Sequence, residues 1–164
     1  PSGSAMTDEV DINLLVHKSV DLMRPHLKKK TETLEIKTDD TLPLIRGNFQ
    51  KLQQVIINLL ANAGQALEHP GQAITVTTSK ETKNGFATIQ VRDSGPGLCE
   101  TELKKITEPF FTTRRDDGGT GLGLSISEKI VSSHNGILEF ESSPGNGLTA
   151  TVCLPFAPDD HGQR

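Results

Sequence analysis

Two glycine clusters, separated by a loop of charged and aromatic residues, constrain this chain more than any other feature. The first, DSGPG, begins at Asp93, directly after the apolar run 87–91, and the second, GGTGLG over 118–123, leads into the helical pattern LSISEKIVSSH. Glycine permits sharp turns and close approach of the backbone to a ligand. A glycine-rich turn that opens a helix presents unpaired N–H groups and the positive end of the helix dipole. The sequence therefore predicts a polyphosphate pocket with the intervening loop as its lid.

Neither cluster is a standard phosphate motif. The chain contains no GxxxxGK[ST] pattern and no GxGxxG pattern in a βαβ setting. A nucleotide site here must therefore belong to another fold. The alternative for each cluster alone is a tight turn that binds nothing.

Composition excludes several classes of protein. The 164 residues carry a net charge of −4, so nucleic acid is not an expected partner. The two cysteines, Cys99 and Cys153, lack metal or redox spacing; we expect reduced thiols in a cytoplasmic domain, and the sequence leaves a single disulfide open. No signal peptide or run approaching the roughly 20 apolar residues of a membrane span is present. We expect residues 8–156 to form one domain, residues 1–7 to be a cloning remnant, and residues 157–164 to be a disordered tail.

The most informative predicted helix covers residues 49–67. Its apolar residues follow the helical period and predict one buried face. Its amide residues, in contrast, gather on another face: Gln54, Asn58, Asn62 and Gln65. Amide oxygens can coordinate Mg²⁺ without adding negative charge beside phosphates. The alternative is a capping or interhelical hydrogen-bond network.

The remaining patterns predict an α+β fold. Alternating residues indicate strands at 8–12, 33–38 and 42–45. Two hairpins are expected, from 73–78 with 86–92 and from 137–141 with 149–154. A first helix is expected to be capped by Asn13 and kinked or broken at Pro25. Together these elements predict a two-layer α/β sandwich, with a mixed sheet of about five strands and three main helices on one face.

The ordered motifs resemble the ATP-binding catalytic domain of bacterial two-component sensor histidine kinases, within the superfamily of gyrase, chaperone, kinase and mismatch-repair ATPases. An asparagine box is present as NLLANAGQAL from Asn58, a first glycine box as DSGPG, a phenylalanine box as EPFFTT from Glu108, and a second glycine box as GGTGLGL from Gly118. The NAxQAL form resembles the nitrogen-regulation-type kinases. The resemblance extends over nearly the whole chain and implies the Bergerat-type ATP-binding fold.

The resemblance also implies roles for individual residues. Asp93 would accept a hydrogen bond from the adenine amino group, assisted by Thr149, although the family often places its threonine where Leu148 stands. Asn62 would bind Mg²⁺ with Asn58 beside it, and Arg114 would neutralise phosphate charge, with Arg115 as its substitute. Phe110 and Phe111 would anchor the lid. The implied catalytic residues are Asn58 and Arg114, and the implied ATP-binding residues are Asn58, Asn62, Gln65, Asp93, Gly95, Gly97, Thr113, Arg114, Gly119, Thr120, Gly121, Leu122, Gly123, Leu124 and Thr149.

Two departures from the family pattern shape the expected function. Gln65 and Ala66 stand where many relatives have a lysine and an aromatic residue, which predicts modest nucleotide affinity. No histidine lies in the family's phosphoacceptor context, so we expect surface or structural roles for His17, His26, His69, His134 and His161. The resemblance thus implies that this domain binds Mg²⁺–ATP and transfers the γ-phosphate to a histidine on a separate dimerisation domain. A response regulator would act downstream, the isolated fragment would be monomeric, and the parent protein could carry a membrane anchor.

Three other functions remain open at this point. An anti-sigma-type serine kinase would share the pocket, and a non-catalytic ATP-sensing module would bind nucleotide without transfer. A chaperone- or gyrase-like ATPase is disfavoured because the hydrolysing branches place a glutamate at the position of Asn58. An amide cannot take a proton as a carboxylate does.

Overall fold

A five-stranded mixed sheet, with helices packed on one face, forms the body of the molecule. The computed structural model describes residues 8–109, 111 and 123–158. The elements, in chain order, are β1 (Asp8–Val10), α1 (Ile12–Leu27), β2 (Thr33–Lys37), β3 (Ile45–Gly47), α2 (Phe49–Ala66), β4 (Ala73–Glu81), β5 (Phe86–Asp93), α3 (Glu100–Lys105), α4 (Gly123–Ser133), β6 (Ile137–Ser142) and β7 (Leu148–Pro155).

The strand order of the main sheet is β2-β4-β5-β7-β6. β2 runs parallel to β4, and the other neighbouring pairs are antiparallel. β1 and β3 form a separate antiparallel pair. The predicted α+β fold, with its mixed sheet of about five strands and its two hairpins, is therefore confirmed. The short helix α3 adds to the three main helices, and β3 begins where a longer strand was expected to end.

Alternation along the central strands separates the two faces of the sheet. In β5, Ala87, Ile89, Val91 and Asp93 are buried. The register with β7 sets even-numbered residues opposite them, from Leu148 to Leu154. Since paired residues on antiparallel strands point to the same side, these positions form the inner face. They join one core with buried residues of α1, α2 and α4.

Helix α2 lies at the centre of the helical layer. The Oδ1 atom of Asn48 accepts the N–H of Lys51 over 3.0 Å and caps the helix. The apolar face predicted from the sequence is buried: Leu52, Val55, Ile56, Leu59, Leu60, Ala63 and Leu67. Burial of that face against the sheet leaves the amide residues of α2 on its other faces.

Three predictions of local structure differ from the structure in whole or in part. Asp11, and not Asn13, caps α1, because its carboxylate accepts the N–H of Leu14. The side chain of Asn13 is engaged elsewhere: it donates to the carbonyl of Asp39 and accepts from the hydroxyl of Thr78. The helix is also not broken at Pro25 but continues to Leu27, since a proline near a helix end removes only one hydrogen bond shortly before the helix would stop. The kink expected there stays a prediction.

The third difference concerns the strand expected at 42–45. The strand is β3, which begins only at Ile45. Pro43 interrupts the preceding residues, and a proline has no N–H to donate to a ladder. The effect is a shift of the strand towards α2, so that β3 leads directly into the cap at Asn48.

Both thiols are free in the structure. Cys99 is exposed, and Cys153 is half-buried. Within the described ranges, no helix combines the length and the apolar character that crossing a membrane requires.

Candidate nucleotide site

Asp93 lies at the end of β5, on the inner face of the sheet. Its side chain is buried, with 2% of the residue exposed. The Oδ1 atom accepts the N–H of Gly95 over 2.9 Å. In the two flanking strands the residues opposite Asp93 are Ile74 and Leu148. The strand therefore delivers a carboxylate to a largely aliphatic environment, and the following turn holds that carboxylate in place.

The glycines of the first cluster are required by contacts within the protein. A Cβ atom on Gly95 would lie 2.6 Å from the carbonyl oxygen of Ala66, at the end of α2. Gly97 has a φ of +74°, and a Cβ atom there would overlap the carbonyl oxygen of Ser143. The first cluster is thus wedged between the end of α2 and the turn that joins β6 to β7.

That turn, residues 143–147, packs against the backbone of Asp93. A Cβ atom on Gly147, whose φ is +69°, would overlap the backbone carbonyl of Asp93. The hydroxyl of Ser142 accepts the N–H of Leu98 over 2.7 Å and donates to the carbonyl of Gly147 over 2.6 Å. Sequence reasoning identified the turn as part of a hairpin but missed its contact with Asp93. The paired glycines of SSPGNG were the available signal.

Asn58 connects α2 to the first residues of α4. The side chain is half-buried, and Nδ2 donates to the carbonyl oxygen of Gly123 and to the hydroxyl oxygen of Ser127, each over 3.2 Å. A carbonyl oxygen can only accept, so the nitrogen of the amide faces α4. Oδ1 has no hydrogen-bond partner among the described residues. The interhelical network considered from the sequence therefore exists at Asn58, through the nitrogen alone.

The other amides of α2 differ in exposure. Asn62 and Gln65 are half-buried, whereas Gln54 is exposed. Within the described part of the chain, the side chains of Asn62 and Gln65 make no hydrogen bond. Their polar atoms are thus available to a ligand, which a nucleotide site on this side of α2 requires.

The far end of α4 is also attached to α2. His134 is 5% exposed; its Nε2 accepts the backbone N–H of Asn48 over 3.0 Å, and its Nδ1 lies 2.7 Å from the carbonyl oxygen of Ile130. This agrees with the structural role expected for His134. Together with Asn58, it fixes α4 to α2 at both ends.

The structure does not bring Thr149 to the carboxylate of Asp93. Thr149 pairs with Arg92 and Glu141, so its side chain lies on the outer face of the sheet. Successive residues of a strand point to opposite faces, and Leu148 therefore occupies the inner position beside Asp93. The placement of Thr149 at the adenine end is wrong for this reason.

The lid and most of the second glycine cluster lie outside the described residues. Of the predicted site residues, these are Thr113, Arg114, Gly119, Thr120, Gly121 and Leu122, together with Phe110 and Arg115 of the lid. Gly123 is the first residue of α4, and Leu124 is half-buried and packs against the core. Phe111 is half-buried, and its N–H donates to the carbonyl of Glu108.

The described residues provide no conventional metal cluster. Within 8–109, 111 and 123–158, no three histidine, cysteine, aspartate or glutamate side chains are placed so that they could hold a metal ion together. The described residues therefore offer a metal at this site amide oxygens, those of Asn58 and Asn62, as protein ligands. A cavity of about 300 Å³ opens elsewhere, on the surface of α1 and α2, and is lined by Lys18, Asp21, Leu22 and Gln53.

Comparison with known proteins identifies the family of the chain. Residues 47–158 match the family described as histidine kinase-, DNA gyrase B- and HSP90-like ATPases. The chain is 38% identical over 146 residues to the sensor histidine kinase ZraS of Escherichia coli K12. The matched segment covers 89% of this chain and 30% of that protein. The chain thus spans less than a third of the length of this relative.

Solved structures of histidine kinases share the fold. The catalytic domain of the histidine kinase ThkA is 30% identical, with a TM-score of 0.80, covering 94% of this chain and all of that one. Full-length ShkA in complex with AMPPNP is 26% identical, with a TM-score of 0.82, covering 95% of this chain and 32% of that one. ThkA in complex with the response regulator TrrA is 28% identical, with a TM-score of 0.76, and the match covers 94% of this chain and 43% of that one.

Proposed function

Since the chain belongs to the histidine kinase-, DNA gyrase B- and HSP90-like ATPases, we propose that it is the ATP-binding catalytic domain of a sensor histidine kinase. Its function is to bind Mg²⁺–ATP and to transfer the γ-phosphate to a histidine on a separate domain. The observation that supports this most directly is that two motifs, the first glycine cluster and the start of α4, contact the asparagine motif on α2. Ala66 packs against the first glycine cluster, Asn58 binds the start of the second-cluster helix, and both belong to the asparagine motif.

Asp93 is the residue that selects the base. Its buried carboxylate accepts hydrogen bonds only, and Gly95 fixes the orientation of that carboxylate through Oδ1. Adenine presents an amino donor where guanine presents a carbonyl oxygen. A carboxylate held in this orientation rejects the base that presents a carbonyl oxygen, because two acceptors that face each other repel and cannot form a hydrogen bond. Leu148, which is half-buried and paired with Asp93, would contact the ring.

The amides of α2 are suited to hold Mg²⁺. Its preferred ligands are oxygens, and it commonly takes one or two from protein and the rest from phosphates and water. The Oδ1 atom of Asn58 and the side chain of Asn62 have no hydrogen-bond partner among the described residues, and both side chains are half-buried. When bound, the cation would neutralise charge on the phosphates. Arg114, with the backbone of 119–124 and the side chains of Thr113 and Thr120, is proposed to bind the phosphates themselves.

Positioning and electrostatics account for the transfer step. Neither Asn58 nor Asn62 can remove a proton from water, so hydrolysis should be slow. The nucleophile is supplied by the accepting histidine, and the domain aligns the γ-phosphate with it. Gln65 and Ala66 supply neither a cation nor an aromatic ring beside the nucleotide, so the affinity is expected to be modest.

The partners follow from this division of labour. We propose a dimerisation and histidine-phosphotransfer domain of the same parent protein as the acceptor, and a response regulator as the next protein in the relay. The names of similar proteins support this: ZraS is a sensor histidine kinase, and ThkA has been solved with a response regulator. Residues 8–156 are proposed as the catalytic unit, which acts in the cytoplasm, where ATP is available, and is monomeric by itself.

Calorimetry with AMPPNP tests the proposal. Binding in the micromolar range, stronger with Mg²⁺ than with a chelator and absent for the guanine analogue, is expected. Asp93→Asn should weaken it at least tenfold, because the amide replaces an acceptor by a donor. Asp40→Asn, at an exposed position, is the matched control. Failure of the unmodified protein to bind AMPPNP, or equal affinities for the two bases, would overturn the proposal.

Transfer is tested separately with radiolabelled ATP and the phosphoacceptor domain of a similar kinase. Labelled product that survives base and is lost in acid is expected for phosphohistidine. Acid-stable product would indicate a serine kinase instead. Binding without any transfer, across several acceptor domains, would favour an ATP-sensing module.

A further inference from the structure

We propose that Ser127 is a positioning residue, which together with the Gly123 carbonyl holds the amide of Asn58 so that Oδ1, and not Nδ2, is presented to the nucleotide site. The proposal rests on the proposed function, because it concerns how one predicted Mg²⁺ ligand is oriented. Ser127 was absent from the residues singled out by the sequence. It lies 69 positions after Asn58 and is fully buried.

The donor capacity of the amide is completely used on the side of α4. An asparagine amide has two N–H donors, and two acceptors receive them: the Gly123 carbonyl oxygen and the Ser127 hydroxyl oxygen, each at 3.2 Å. Both acceptors lie on one side of α4, Gly123 at its first residue and Ser127 one turn later. Oδ1 is therefore the only atom of this amide left to interact outside the α2–α4 contact.

Rotation of the amide by half a turn would reverse its chemistry. It would set Oδ1 against the Gly123 carbonyl, where two acceptors repel each other, and would present an N–H donor to the site. A donor cannot ligate a cation. The Gly123 carbonyl penalises that rotation, because a carbonyl oxygen can only accept. The Ser127 hydroxyl supplies the acceptor for the second N–H and so holds the amide in the orientation that Gly123 selects.

The local chemistry of Ser127 differs from that of an ordinary buried helical serine. Such a serine commonly donates to the carbonyl four residues earlier, as Ser19 of α1 does to Leu15 over 2.7 Å. Ser127 instead accepts from a neighbouring helix. Since it is 0% exposed, Ser127 acts only through Asn58 and does not touch the ligand.

Two substitutions separate hydrogen bonding from packing. Ser127→Ala removes the acceptor, and Ser127→Cys restores most of the volume with only a weak acceptor. Ser19→Ala is the matched control, because Ser19 is equally buried on a helix far along the chain from the site residues. The affinity for AMPPNP is measured by calorimetry with Mg²⁺ and with a chelator. The side-chain amide signals of Asn58 are followed in ¹⁵N spectra of the protein without ligand.

Both Ser127 variants should lose about fivefold in affinity with Mg²⁺, the equivalent of one hydrogen bond. They should change little with the chelator, so the enhancement by Mg²⁺ falls. The Asn58 amide signals should shift in both variants and stay in place in Ser19→Ala. Equal losses with and without Mg²⁺, or restored affinity in Ser127→Cys, would assign Ser127 to packing and overturn the proposal.

The two proposals fail in different ways. If the unmodified protein binds no nucleotide, the proposed function fails, and the amide spectra alone decide whether Ser127 orients Asn58. Unshifted Asn58 signals in Ser127→Cys would overturn the positioning role even if nucleotide binds. If Ser127→Ala does not fold, the Cys variant carries the comparison.

Discussion

The imidazole of His134 accepts the backbone N–H of Asn48 through Nε2, over 3.0 Å and across 86 positions of sequence. Asn48 is the residue whose side chain caps α2. Because Nε2 is the acceptor, the neutral ring carries its proton on Nδ1, which donates to the carbonyl of Ile130. Gly47 makes room for the ring, since a Cβ atom there would lie 2.5 Å from Cδ2.

Replacement of His134 by alanine should destabilise the domain. The buried N–H of Asn48 would lose its acceptor, at a cost of about 1–3 kcal/mol, and a cavity would form beside Gly47. The free energy of unfolding in urea measures the effect. The control is His17→Ala, at an exposed position of α1, which should change stability by less than about 0.5 kcal/mol. Similar effects of the two substitutions would contradict a structural role for His134.

Gly147 and Gly145 form a matched pair for the turn behind Asp93. Both have positive φ, of +69° and +83°, but a Cβ atom on Gly145 would meet nothing within 4 Å. Gly145→Ala should therefore lower the free energy of unfolding only by the strain of a positive φ at alanine, about 1–2 kcal/mol. Gly147→Ala should lower the free energy of unfolding further, because its Cβ atom would displace the backbone of Asp93.

The measurement for this pair is urea unfolding together with calorimetry of AMPPNP binding. Weakened binding is expected for Gly147→Ala and not for Gly145→Ala. Equal stability losses would mean that the close approach of Gly147 to Asp93 is relieved at little cost.

Asn58→Asp tests the contact between α2 and α4 directly. The substitution removes both donated hydrogen bonds and sets a carboxylate oxygen against the Gly123 carbonyl. A loss of about 1–3 kcal/mol in unfolding free energy is expected at neutral pH. Gln54→Glu introduces the same change of group at an exposed position of the same helix and should have little effect. If Asn58→Asp unfolds at the same urea concentration as the unmodified protein, the amide does not stabilise this contact.

Cys153 should react slowly with iodoacetamide. Burial raises the pKa of its thiol, and the nearby carboxylates of Glu139 and Glu81 raise it further. A raised pKa means a smaller thiolate fraction at a given pH, so the rate should climb only as the pH passes above the usual range for cysteine. The rate is measured between neutral and alkaline pH in Cys99→Ser, which leaves Cys153 as the reacting thiol.

The carboxylate contribution has its own control. Glu139→Gln removes one negative charge beside Cys153, lowers the thiol pKa, and should move the rate profile towards lower pH. Lys104→Gln, at an exposed position of α3, should leave the profile in place. An unchanged profile in Glu139→Gln would mean that Glu139 does not contribute and that burial and Glu81 account for the slow reaction.

Local patterns predicted the parts of the fold that are determined locally. The helical spacing of apolar residues in α2 predicted its buried face, because one stripe of the helix must pack against the sheet. Alternation and turn residues gave both hairpins. The cap of α1 was missed because Asp11 and Asn13 are both suitable capping residues. Contacts of Asn13 with Asp39 and Thr78, distant in sequence, settle which one is used.

The candidate site was predictable in its residue types but not in its geometry. The position of Thr149 depended on strand register, and a shift of one residue moves a side chain to the opposite face. Leu148, not Thr149, is therefore beside Asp93. The role of Ser127 was equally hidden, because the apolar pattern of α4 does not reveal which serine meets Asn58.

Residues near both ends of the described chain pair with β3, so this strand would carry a pulling force applied between those ends. Val10 and Phe156 both pair with Ile45, and the N–H of Ala157 donates to the carbonyl of Leu44. The two ends of the described chain therefore meet on one short strand. Tension applied between any segments that precede residue 8 and follow residue 158 would act first on the hydrogen bonds of β3. The site carried by α2, α4 and the end of β5 would be shielded from that pull.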